Sequence, residues 1–317
     1  MITKNDFNIA VLFGGISSER EVSIKSAMEI IPVLEENYNI QLIELNQLNF
    51  SSFVHRIKND SLVFNALHGG EGENGQIQSF LSQHGIVYTG SGPMASMLSM
   101  NKHFTKIIAT ENNIQTPDWL TFRFDKNNIP KVLSYKSNKK MSYPLVVKPN
   151  FQGSTLGLSI VKNKKDIEEA IKLASIYSDE VIIEKYIKGR ELTVGVLGNR
   201  ALDIVEILPD SGFYDYHSKY TQGATSYLSP ADISKDLENL VKKEAINIYK
   251  ALGCRHYARV DFLLDDNLVP HLLEVNSLPG LSSTSLLPMS AKSYGVNFKQ
   301  LLDLIIKIAI VDNEIVL

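Results

Sequence analysis

The stretch from Tyr257 to Leu286, YARVDFLLDDNLVPHLLEVNSLPGLSSTSL, decides how the rest of the chain is read. It alternates as two strands joined by a polar turn at Asp265, Asp266 and Asn267. Alternation sends Val260, Phe262 and Leu264 to one face and Arg259, Asp261 and Leu263 to the other. On the return strand it separates Leu273 and Val275 from Glu274 and Asn276. A turn centred on Asn267 and Leu268 sets Asp261 opposite Glu274 and Arg259 opposite Asn276. Directly opposed residues lie only about 5 Å apart, so two carboxylates, an amide oxygen and a guanidinium crowd onto one patch. A solvated face laced with salt bridges is the plain reading of such a hairpin. The sequel, Ser277-Leu278-Pro279-Gly280 and a Ser/Thr-rich run, adds backbone amides and hydroxyls suited to an anion. Together these point to a hard divalent cation such as magnesium, held by one or two carboxylates and the phosphates of a substrate.

Toward the N-terminus, Ile9 to Leu12 reads as a buried strand. It runs into Phe13-Gly14-Gly15-Ile16-Ser17-Ser18-Glu19 and then a helix with Val22, Ala27, Ile30, Ile31 and Leu34 at helical spacing. Ser18 with Glu21 has the form of a capping box. The glycine pair is not GxGxxG and no acidic strand end follows, which discounts a dinucleotide site. Glu19 is then either an exposed first-turn charge or a ligand group at the sheet edge where α/β proteins bind substrates. Ser61 to Leu67 empties into His68 and the run Gly69 to Gly75, through which backbone amides can approach a ligand at a helix N-terminus. By itself His68 could be a plain loop histidine. Val87 and Tyr88 read as a short strand, and a helix from about Met94 to Asn112 carries Lys102 and stops before Pro117.

Beyond Pro117 a variable polar stretch runs through Lys139 and Lys140. Pro144 to Pro149 is a strand ending in Lys148, followed by the Gly/Ser/Thr loop Asn150 to Gly157. A lysine beside a mobile loop suits a nucleotide phosphate, although the order of residues excludes a Walker A loop. Glu180 to Tyr186 is the next strand. Residues Glu184, Lys185, Tyr186 and Ile187 could offer backbone groups to an adenine edge and Glu191 could reach a ribose, or this is simply an amphipathic strand and turn. Ala201 to Leu208 continues an antiparallel sheet. Asp210 to Pro230, DSGFYDYHSKYTQGATSYLSP, lacks periodicity, and irregular runs of that length are usually lids or binding loops. A helix from Asp232 to Leu252 and another from about Phe298 to Val311 complete the pattern.

The 317 residues allow two or three subdomains with cores of their own, and 44% hydrophobic with 21% charged residues is ordinary for a globular chain. A net charge of -3 supports neither nucleic acid nor an anionic membrane as partner. The N-terminus lacks the apolar run of a signal peptide, and Leu301 to Val311 is too short to span a bilayer. Cys254 is the only cysteine, which excludes an internal disulfide and fits the cytoplasm. With no histidine dyad evident, core packing suits it better than nucleophilic duty.

The segments FGGISSEREVS, LHGGEGENG, TGSGPMASMLSMNK, YPLVVKPNFQGST, IIEKYIKGRE, FYDYHSKY and RVDFLLDDNLVPHLLEVNSLPGLSSTSLLP occur here in one order and spacing. In them, over nearly its whole length, the chain resembles the D-alanine-D-alanine ligases of the ATP-grasp superfamily. The resemblance implies a mixed α/β and α+β architecture: an N-terminal α/β domain over residues 1–97, a small central domain over 98–184, and a C-terminal domain over 185–317 with a lid at 210–230. It implies that Glu19, Ser154 and Tyr220 form a hydrogen-bonded triad around the first D-alanine, whose carboxylate lies near His68. Lys102, Lys148 and Lys219 would surround the ATP phosphates, with Glu184 to Ile187 and Glu191 on adenine and ribose. Asp261, Glu274 and Asn276 would hold two magnesium ions, or manganese in their place. Arg259 and the Gly280 amide would flank the tetrahedral intermediate, and Ser285 and Leu286 the second substrate's carboxylate. ATP as co-substrate and a homodimer are further implications. Asn74, Gly70, Glu71, His217 and Ser218 depart from common family residues without removing a matched catalytic group. Tyr220 favours an amine nucleophile, because relatives that make D-alanyl-D-lactate lack that triad.

Overall fold

A computed structural model describes residues 8–124, 130–135, 141–210, 221 and 223–312. Three sheets organise them. The first is parallel, with strands β1 (Asn8–Gly14), β2 (Asn39–Leu45) and β3 (Ser61–Asn65) in the order β2-β1-β3. Ile9 to Leu12 and Leu62 to Phe64 are wholly buried, as continuous apolar runs in a covered parallel sheet should be. Val87 and Tyr88 contribute a single parallel bridge, Val63 to Tyr88, in place of the expected strand. Helix α1 (Arg20–Glu35) follows β1 without the capping box, since no side chain caps it. Ser17 Oγ instead accepts from the Glu19 amide at 3.2 Å and the Glu19 carbonyl accepts from Ser23 N at 3.1 Å. The turn belongs to Ser17, and the Glu19 carboxylate is left for other duty.

The second sheet has strands β4 (Trp119–Phe124), β5 (Pro130–Tyr135), β6 (Leu145–Pro149), β7 (Ser159–Val161) and β8 (Glu180–Lys185), in the order β5-β4-β8-β6-β7 with every pair antiparallel. Strands β4 and β5 occupy the polar stretch after Pro117 that shows little pattern in sequence. Trp119 and Thr121 nevertheless alternate inward, and β4 is held by pairing with β8. Leu145, Val147, Val181 and Ile183 form a small core with Ala170 and Ala174.

The third sheet, order β11-β10-β9-β12-β13, is antiparallel and comprises β9 (Gly189–Leu197), β10 (Arg200–Pro209), β11 (Thr225–Leu228), β12 (Tyr257–Asp265) and β13 (Pro270–Asn276). Strand β11 lies inside the segment 210–230 expected to be irregular throughout. The helix expected over Met94 to Asn112 is two, Pro93–Met100 and Lys102–Glu111. Asn101 interrupts it, because its side chain accepts from Phe104 N at 3.0 Å as the cap of the second piece and also receives Asn150 Nδ2 at 3.0 Å. Ala95 and Ala109 from this helix pair, with Ile114 just beyond it, pack with Leu272 and Val275 under the third sheet. Cys254 lies in the same core, where burial pushes its thiol up in pKa, away from nucleophilic use. The last helix (Phe298–Asp312) returns to the first sheet, placing Leu301, Ile305 and Ile306 in the core of Ile9 to Leu12. Among the described residues no helix is long and apolar enough to cross a membrane.

Candidate active site

The β12–β13 hairpin carries the register read from its alternation: Arg259 faces Asn276 and Asp261 faces Glu274. Between Asp261 and Phe262 the pairing slips, and Phe262 faces Leu272. Leu273 is thus the extra residue of a bulge, where two residues oppose one and alternation changes phase. As a result Leu272 is wholly buried, while Leu273, expected beside Val275 in the core, lines a cavity with Glu274.

On this face Arg259 Nε donates to Asp261 Oδ1 at 2.9 Å and Nη2 to Oδ2 at 2.8 Å, and Thr193 Oγ1 donates to Asp261 Oδ1 at 2.5 Å. Lys102 Nζ stands 3.1 Å from Glu274 Oε2 and donates to the Gln152 carbonyl at 2.7 Å. Asn276 Oδ1 accepts from Leu278 N at 3.0 Å, which fixes the turn into the serine-rich loop. As a donor set, two carboxylates and an amide on adjacent strands suit a hard oxygen-seeking cation. Lys102 and Arg259 already neutralise those carboxylates, so a cation bound there would compete with them for the same oxygens. Among the described residues no three His, Cys, Asp or Glu side chains converge as a metal cluster.

A cleft of ≈ 580 Å³ opens beside the hairpin. Arg259, Glu274, Asn276, Gly280, Ser285 and Leu286 line it together with Glu19, His68 and Ser154. Ser154 Oγ donates to Glu19 Oε1 from a backbone in the left-handed region (φ 53), continued by Thr155 (φ 60). Non-glycine residues held this way are strained, and such strain gathers at functional sites. Gly69 takes a left-handed backbone here (φ +66) that a residue with a Cβ would adopt only under strain, and that Cβ would crowd the Glu19 carboxylate. His68 is clasped between Ser26 Oγ, 3.2 Å from Nε2, and the Glu73 carboxylate, 3.7 Å from Nδ1. In the loop after β13, Ser282 and Ser285 share a hydroxyl contact of 2.7 Å, and Glu29 accepts from Ser283 N at 2.6 Å. Gly280 leaves room for that hydroxyl, as a Cβ there would be 2.9 Å from Ser285 Oγ.

A smaller cavity of ≈ 100 Å³ adjoins the hairpin and is lined by Lys102, Lys148, Glu191, Asp261, Leu273 and Glu274 among others. Glu184 lies behind it: Lys148 Nζ is 2.8 Å from Oε2 and Lys106 Nζ 2.9 Å from Oε1, all three side chains at most 10% exposed. Burial alone would raise the Glu184 pKa; the two lysines outweigh it and hold it below the usual carboxylate value. Lys185 N donates to Asp118 O at 2.9 Å and Tyr186 N to Pro144 O at 3.3 Å. Lys185, Tyr186 and Ile187 do not line either of these two cavities. Lys219 and Tyr220 lie outside the described residues.

Sequence reasoning missed Lys106, Ser26, Glu73 and Leu273. Glu73 was legible as a charge in a glycine loop five residues after His68. Lys106 looks like any helix lysine until β6 and β8 are packed against it.

Residues 108–307 match the family model described as D-ala D-ala ligase C-terminus. A curated D-alanine-D-alanine ligase of Clostridium botulinum is 39% identical over 94% of this chain and 97% of its own length. Among solved structures, a D-alanine-D-alanine ligase of Bacillus anthracis superposes with TM-score 0.84 at 36% identity, covering 97% of this chain and 99% of that one. The VanG D-Ala:D-Ser ligase of Enterococcus faecalis gives 0.81 at 29% identity, covering 96% and 100%. With its ATP-grasp fold and these relatives, the chain belongs to the D-alanine-D-alanine ligase family.

Proposed function

We propose that the chain joins two D-alanine molecules into D-alanyl-D-alanine, forming ADP and phosphate through an acyl phosphate, as a cytoplasmic, homodimeric step in peptidoglycan precursor synthesis. The observation that carries this reading is the convergence, in one cleft, of Glu19, Ser154 and His68 with Arg259, Glu274, Asn276 and the Ser282–Ser285 loop. A carboxylate is a poor acylating agent at neutral pH. Its oxygen therefore first takes the γ-phosphoryl group of ATP and releases ADP; the second amine then attacks the acyl carbon and phosphate departs. Phosphoryl transfer is largely positioning and neutralisation of charge, a role for Lys102 and Lys148, with Lys219 as an expected third. Asp261, Glu274 and Asn276 would hold divalent cations, which neutralise phosphate charge when bound. Arg259 and the Gly280 amide would stabilise the oxyanion as the amide forms. The Glu19–Ser154 pair, completed by Tyr220, would orient the first D-alanine with His68 near its carboxylate. Ser285 and Leu286 would receive the second. Backbone groups from Glu184 to Ile187 would meet adenine, and Glu191 the ribose. Residues 1–97, 98–184 and 185–317 would act as the three domains, with 210–230 closing over the cleft to exclude water.

Incubation with ATP, magnesium and D-alanine, followed by mass identification of products, tests the proposal. Dipeptide with stoichiometric ADP and phosphate is expected, and their absence would sink it. A panel of D-amino and D-hydroxy acids as second substrate separates D-alanine from D-serine or D-lactate acceptors. Binding of ATP without phosphate release would instead mark a nucleotide-binding regulator.

A further inference from the structure

Lys106 belongs to no motif, yet its side chain is wholly buried (0% exposed) and bound on every side. Its ammonium reaches Glu184 Oε1 at 2.9 Å, Thr116 Oγ1 at 2.7 Å and the Pro117 carbonyl at 3.3 Å, and lies 5.6 Å from the centre of the Trp119 ring. Glu184 spends its other oxygen on Lys148 at 2.8 Å. Of these three charged groups only Lys148 lines the smaller cavity. One carboxylate neutralises one ammonium. A Glu184–Lys148 pair alone would carry no net charge, whereas the trio carries +1 and shows it to the cavity through Lys148.

We propose that Lys106 is a positioning residue for the nucleotide: by engaging Glu184 from behind, it preserves the positive charge of Lys148 for the phosphates. The proposal rests on the reading of the chain as an ATP-dependent ligase. Lys106 acts without touching ATP. Thr116 extends its reach, because the hydroxyl that accepts from Lys106 donates to the Leu272 carbonyl at 2.8 Å, one residue before the bulged Leu273. Lys106 thereby also ties the second sheet to the strand that carries Glu274. Burial lowers the ammonium to about 8, opposed by Glu184 and reinforced by Lys148 and Lys102, the other charged groups that act on it. It is protonated below that pH and loses its charge above.

Calorimetric titration with a non-hydrolysable ATP analogue and magnesium tests this on the full chain and its Lys106→Met and Lys106→Gln variants, alongside the KM for D-alanine and thermal melting. Both variants should bind the analogue at least about tenfold more weakly, the loss expected for one charge removed within a partly desolvated site, while the D-alanine KM moves less than about twofold. Affinity of the natural chain should fall as pH rises from 7 to 9.5, and the variants should lack that fall. Unchanged analogue affinity overturns the proposal. So does a joint loss of analogue and D-alanine affinity in step with the melting temperature, which marks Lys106 as merely structural. Should neither variant fold, a flat pH profile in the natural chain overturns it alone. If the natural chain fails to bind the analogue at all, the ligase reading itself has failed.

Discussion

Glu184 and Glu274 both face a lysine across less than about 3.2 Å, yet they sit in unlike surroundings. The Glu184 side chain is 3% exposed and shared by Lys106 and Lys148; that of Glu274 is 26% exposed at a cleft wall, with Lys102 reaching it from another unit. A sealed carboxylate between two ammoniums is a fixed part of the fold's electrostatics, since removing it strands buried charge. A half-open carboxylate on a strand edge can exchange its lysine for a cation. The same residue type is thus sealed between two lysines in one place and half-open at a cleft wall in the other.

Two substitutions can break that contrast. Glu274→Gln should lower turnover by about 10² to 10³-fold, the order found when one electrostatic partner of a transition state is lost. Its melting temperature should stay close to that of the natural chain. Comparable loss of activity and stability would return Glu274 to an ordinary salt bridge. Glu184→Ala should instead cost about 3–5 kcal/mol of stability, because Lys106 and Lys148 are left unpaired. Denaturant melts measure it, and an unchanged midpoint would erase the distinction. Ser154→Ala sharpens the picture at smaller scale. Losing the hydrogen bond to Glu19 should cost about 1–2 kcal/mol in kcat/KM for the first D-alanine, with stability nearly constant; an equal loss in the melt would make the pair structural.

How much of this was legible follows the same divide. The pairing of Asp261 with Glu274 and Arg259 with Asn276 could be read directly, because alternation and turn position fix register. The bulge could not, since nothing local marks Leu273 as the residue that stands out of phase. The α/β character of the N-terminal unit was plain in the apolar runs Ile9 to Leu12 and Ser61 to Leu67. Strands β4 and β5 were obscured by the Asn/Lys-rich residues around them, and β4 takes its place through β8. The Lys106–Glu184–Lys148 trio was illegible for a physical reason: its members come from three elements, and only tertiary packing decides that one carboxylate meets two lysines. Tyr220 and Lys219 lie outside the described residues, and their place in the site is an expectation from the sequence resemblance.

A third glutamate completes the comparison and gives the smallest effect. Glu244, on the helix Lys235–Ala251, is half-buried, and its Oε2 atom is enclosed with no hydrogen-bond partner among the described residues. Burial pushes its pKa from 4.5 up to about 7, with Lys243 offsetting only part of the rise. Glu184 goes the other way because its two lysines outweigh burial. The signs of the stability effects are therefore opposite. Glu184 stabilises the fold above the ordinary carboxylate range, and that contribution is lost as pH falls through its lowered pKa. Between 4.5 and 7 the folded chain holds a proton at Glu244 that the unfolded chain has given up; its contribution is complete below that window and gone above it. Since the group is partly open to solvent, the difference across the window should be about 1 kcal/mol. Urea melts of the natural chain and of Glu244→Gln between pH 5 and 8 measure it. The natural chain should weaken relative to the variant as pH rises, and parallel curves would show that solvent, rather than burial, governs Glu244.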